Sequence, residues 1–91
     1  MEESSIQQSM QRKIRDGIPN IIELQVMEDA AKCNGSYNVL VVSPHFEGKG
    51  PLDRHREILK IVDEDVKKIH AISIKAWTEK QWLANKDKPI F

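Results

Sequence analysis

The sequence predicts a small α+β domain in which helices pack on a three-stranded mixed sheet, in the order αββααβα. Three observations carry this: apolar residues alternate with polar ones over 22–27, a β-rich run fills 37–43, and a third run at 71–77 is separated from the second by a long stretch of helical spacing. Ninety-one residues, 40% hydrophobic and 31% charged, suit a single domain that buries roughly two thirds of its unfolded surface. Residues 6–86 are read as that domain, residues 1–5 as a flexible arm and 87–91 as a loose tail.

Ile6, Met10 and Ile14 recur every four residues and stop at Asp16-Gly17 with Pro19 beyond, the pattern of an amphipathic helix with a glycine stop. Ile22, Leu24 and Val26 alternate with Glu23, Gln25 and Met27, as in a strand with one buried face. The turn-forming Cys33-Asn34-Gly35-Ser36 joins it to the second strand as a hairpin with a long loop. Pro44 ends that strand. Pro51 suits the first position of a helix, with Asp53 at its positive end. Leu52, His55, Ile58, Leu59, Val62, Val66 and Ile69 keep helical spacing, and Asp63-Glu64-Asp65 divides the run into a longer helix and a short one. In the third strand Ile72, Ile74 and Ala76 share a face. Thr78-Glu79-Lys80-Gln81 reads as a capping box that starts a last helix with Trp82 and Leu83 facing inward. A helix-containing connection of this length joins parallel strands, so the third strand should run parallel to the second.

Fourteen basic and fourteen acidic residues cancel, and they cancel locally too: positions 47–70 hold six of each sign. Nucleic-acid binders show a basic stripe, because affinity rises with the number of phosphates neutralised. No apolar run approaches the roughly 20 residues of a membrane span, so no membrane partner is expected. One cysteine cannot form an internal disulfide, and the cytosol, with or without the nucleus, is the expected compartment. No nucleophile, base and orienter stand at a recognisable spacing, and no phosphate-cradling glycine loop appears, so no enzyme is expected.

Cys33 and His70 each stand just before a predicted strand. If the second and third strands are parallel neighbours, both residues reach one edge of the sheet, where strands lie about 4.8 Å apart. Pairing of the third strand with the first would separate them. Two soft ligands are half of what a structural zinc site needs. His45 follows the far end of the second strand and His55 has a core-facing spacing, so the reading is a metal half-site completed by a partner. Taken singly, His70 also fits a structural histidine, Cys33 an inert loop thiol, His55 a packing or capping residue, Arg54 and Arg56 solvated or salt-bridged cations, and Trp77 and Trp82 core aromatics.

Val39-Leu40-Val41-Val42-Ser43, Phe46-Glu47-Gly48-Lys49, Arg54-His55-Arg56, Ile69-His70-Ala71 and Ser73-Ile74-Lys75-Ala76-Trp77-Thr78 together resemble the BolA family in order and spacing. The resemblance implies the BolA fold, related to the class II KH fold, and partnership with a monothiol glutaredoxin in iron–sulfur metabolism. It also implies that His70 is a cluster ligand with Cys33 beside it, as in the cytosolic subgroup. A [2Fe-2S] cluster shared with glutaredoxin and glutathione is then the expected cofactor, with none in the isolated protein. A KH-like nucleic-acid-binding regulator is the second reading, and a redox-sensitive module that dimerises through Cys33 the third.

Overall fold

Alternating apolar residues pair into a three-stranded sheet, as their spacing predicts. The structure, a computed structural model, describes residues 5–29 and 35–89. Its elements run α1 (Ser5–Gly17), β1 (Glu23–Glu28), β2 (Ser36–Val42), a 3₁₀ turn (Pro44–Phe46), α2 (Pro51–Ile61), α3 (Asp63–Val66), β3 (Ala71–Trp77) and α4 (Glu79–Asn85). The expectations for residues 1–4, for Cys33 and for residues 90–91 lie outside the described residues, and the helix begins at Ser5, inside the stretch expected as an arm.

The sheet order is β1-β2-β3. β1 lies antiparallel to β2, with Val26 opposite Val39, and β2 lies parallel to β3, with Val39 opposite Ile74. Every residue of β2 is buried, which only the middle strand of a sheet this small achieves. On one face Tyr37, Val39 and Val41 pack with Leu24, Val26, Ile72, Ile74 and Ala76 against Met10 and Ile14 of α1, Ile58 of α2, Val62 and Phe46. Burying each large apolar side chain contributes roughly 1.5–3 kcal/mol. On the other face Leu40 and Val42 are also fully buried, flanked in register by Gln25 and Glu23 on one side and Lys75 and Trp77 on the other. The long stems of such residues cover apolar surface while their polar ends reach water.

Local chemistry places the element ends. Ser43 is fully buried; its hydroxyl accepts from the His45 N–H at 3.0 Å and donates to the Pro19 carbonyl at 2.6 Å. This bond turns the chain after β2 and ties the turn to the α1–β1 connection. The capping box forms at α4, where the Thr78 N–H donates to Gln81 Oε1 at 3.0 Å and the Gln81 N–H to Thr78 Oγ1 at 3.4 Å. Gly17 lets α1 end against α2, since a Cβ there would stand 2.8 Å from Ile61 Cδ1. No helix among the described residues is long and apolar enough to cross a membrane.

Several side chains depart from expectation. Leu52 and Leu83 are 60% and 56% exposed, because α2 packs by its Ile58 face and α4 is a two-turn helix held at its start. Trp77 and Trp82 are half-buried at the sheet margin, outside the core cluster. Arg54 is a bridge within the fold: its Nε donates to the Lys49 carbonyl at 2.9 Å, and one terminal nitrogen donates to the Ala76 carbonyl at 3.0 Å and to Gln81 Oε1 at 2.7 Å. Asp65 is buried, accepting from Ser9 Oγ at 3.2 Å and Lys13 Nζ at 2.9 Å, and so fastens α3 to α1.

Candidate functional site

The parallel pairing of β2 with β3 opens at Ser36 opposite Ala71, which puts the residue before each strand at one edge of the sheet. There the His70 N–H donates to the Gly35 carbonyl at 2.9 Å, and the Ala71 N–H approaches the same oxygen at 3.4 Å. Gly35 has φ +82°, a conformation glycine adopts without a steric penalty. A Cβ there would also lie 3.4 Å from His70 Cβ. The Gly35 N–H in turn donates to Glu28 Oε2 at 3.2 Å. The last residue of the β1–β2 loop is therefore held on both sides, by the end of β1 and by the start of β3.

His70 is exposed, and its ring has no hydrogen-bond or ion-pair partner among the described residues. The backbone of this histidine is anchored and its imidazole is open to solvent, an arrangement that leaves a nitrogen available to an incoming metal. Cys33 lies outside the described residues. Among the described residues, no group of three or more His, Cys, Asp or Glu side chains could hold a metal ion.

The other two histidines are elsewhere. His45 follows the opposite end of β2, a strand length or roughly 20 Å from the His70 edge, and His55 is half-buried on α2. His45 Nε2 stands 2.7 Å from Glu57 Oε2, while Lys49 Nζ donates to Glu57 Oε1 at 3.1 Å. Lys49 Nζ also lies 3.1 Å from His45 Nε2, so this nitrogen is engaged by both neighbours and is not a free metal ligand. Burial works against ionisation of Glu57, but the hydrogen bonds and charges of His45 and Lys49 outweigh it and hold the carboxyl below its usual 4.5. A depressed carboxylate adds stability that is present above the unfolded value and is lost as pH falls through the folded one. Glu57→Gln is therefore expected to be less stable than the parent near neutrality, with the gap closing as the pH drops below about 4.5. Urea unfolding of both proteins across that range checks this, and a gap that stayed constant would contradict it.

On the far flank of the sheet, a groove of about 280 Å³ runs between α2, β3 and the start of α4, lined by Arg54, His55, Ile74, Lys75, Trp77 and Gln81 among others. The Lys75 ammonium lies 5.9 Å from the centre of the Trp77 ring, close enough for a cation–π attraction. Sequence reasoning did not find this groove. The run of small and large residues in β3 carries no mark of which strand edge is left open.

The model of the BolA-like protein family matches residues 7–81. BolA-like protein 2 of Saccharomyces cerevisiae is 36% identical over 76 residues, covering 84% of this chain and 63% of the yeast protein. Protein BOLA2 of Arabidopsis thaliana is 47% identical over 62 residues, 67% of either chain. The chain thus spans about two thirds of the length of these curated relatives. The solution structure of BolA1 from Mus musculus superimposes with a TM-score of 0.82 at 26% identity, covering 98% of this chain and 77% of the mouse one. The names of the two curated relatives support the subgroup read from the sequence.

Proposed function

Because the chain belongs to the BolA-like family, we propose that it is a non-enzymatic iron–sulfur adaptor. In this reading it forms a [2Fe-2S]-bridged heterodimer with a monothiol glutaredoxin and glutathione, in the cytosol, for cluster trafficking or iron sensing. The observation that supports it best is the exposed His70 ring on a backbone tied to Gly35. Cys33 stands two positions before Gly35 in the chain, a covalent reach of at most about 7 Å.

The donor set fits such a cargo. A [2Fe-2S] cluster takes four ligands; a glutaredoxin thiolate and a glutathione thiolate are two, and His70 with Cys33 would be the others. Imidazole in place of thiolate lowers the negative charge of the site and raises its potential. The nucleic-acid reading has less support: at the α2–α3 junction, where a KH domain carries its Gly-x-x-Gly phosphate clamp, this chain has exposed Asp63 and Glu64.

Titrating the protein anaerobically into cluster-loaded monothiol glutaredoxin with glutathione, followed by visible absorption and circular dichroism, tests the proposal. A new spectrum that saturates at equal stoichiometry is expected. An unchanged glutaredoxin spectrum would overturn the adaptor reading.

A further inference from the structure

We propose that the outer edge of β3 and the groove beside it take up an extended acidic segment of a partner protein as a fourth strand. β3 is an edge strand, and its backbone alternates in direction. Ala71 points to Gly35, and the Trp77 carbonyl accepts from the Ser43 N–H at 2.9 Å, so the odd-numbered residues of the strand face β2. The N–H and C=O groups of Ile72, Ile74 and Ala76 therefore face outward. The Ala76 carbonyl is already taken by Arg54. Those of Ile72 and Ile74 have no hydrogen-bond partner among the described residues, which leaves an open template for strand addition.

The groove follows this edge. Ile74 and Ala76 belong to the helix-facing side of β3 and Lys75 and Trp77 to the other, yet all four line one groove. A cleft bounded by both faces of a strand wraps its edge. An added strand would send alternate side chains to the two sides: some toward Ile74, Arg54 and His55, the others beside Lys75 and Trp77.

Charge selects the occupant. The ionisable side chains of the lining are Arg54, His55 and Lys75, with no carboxylate among them. The second terminal nitrogen of Arg54 makes no hydrogen bond among the described residues. An incoming segment with acidic residues alternating with apolar ones complements both the cations and the Ile74–Trp77 surface. Arg54 at Ala76 also sets where pairing stops, so the added strand pairs with Ile72 and Ile74. The cations line the end of β3 away from His70, and the proposal requires neither iron nor glutaredoxin.

The test is a titration of the protein alone with a short synthetic peptide alternating Glu and Val, followed by amide NMR and hydrogen exchange. Saturable binding is expected, with slowed exchange at the Ile72 and Ile74 amides and shifts at Lys75 and Trp77. Binding should be lost when the peptide is N-methylated on its pairing edge, and lost when Lys replaces Glu. Lys75→Glu should weaken it several-fold. No binding, or binding that survives N-methylation, would overturn the proposal. So would an equal response to a short single-stranded DNA without amide protection, which would assign the groove to phosphates.

Discussion

Replacing His70 with alanine is expected to abolish the mixed cluster spectrum with glutaredoxin while leaving the fold nearly unchanged. The two effects separate because backbone and side chain of this residue have different tasks. Alanine keeps the N–H that donates to Gly35 at 2.9 Å, and the ring it removes is exposed, so stability should move by no more than about 0.5 kcal/mol. The metal, by contrast, would lose its only nitrogen donor from this chain. Cys33→Ala should give a milder spectral change, since solvent can take the vacated coordination place while His70 stays anchored through Gly35. Circular dichroism in the visible range reads the cluster, and urea unfolding reads the fold. A His70→Ala complex with the parental spectrum would remove His70 from the ligand set, whatever the fate of Cys33.

Phe46→Ala is expected to cost about 3–5 kcal/mol, by loss of transfer energy and by the cavity left behind. Phe46 is fully buried and packs within the helix-side core. It sits there because Ser43 turns the chain at the end of β2. Small domains are stable by only about 5–15 kcal/mol, so the variant should show a much lower denaturant midpoint or fail to accumulate. Phe46→Leu, which keeps most of the apolar volume, should lose far less. A loss below about 1 kcal/mol for alanine would mean that the turn repacks around the gap.

How much of this could be read from residues alone depended on whether the deciding partner was local. The strand alternation, the Pro51 start, the Thr78–Gln81 box and the break at Asp63 are signals within a few residues, and each element formed where expected. The parallel β2–β3 pairing followed from the length of the connection, and it carried His70 to the sheet edge with it. Arg54 was missed as a bridge because two of its three partners are backbone carbonyls, at Lys49 and Ala76, and carbonyls have no sequence signature. Asp65 looked like one more charge in an acidic run; its partners Ser9 and Lys13 lie more than fifty positions away. Leu83 and Leu52 carried the right period but the wrong side, since periodicity marks a face without saying what will cover it. Cys33 was read from the sequence, and its side chain lies outside the described residues.

The Gly35 carbonyl receives the N–H groups of both His70 and Ala71, so the first rung of the parallel ladder belongs to the loop rather than to either strand. Gly35 cannot move outward without unzipping the sheet from this end. A displacement of Gly35 must give up the registration of β3 at its start, so the exposed His70 ring and the framework that carries it share a single latch.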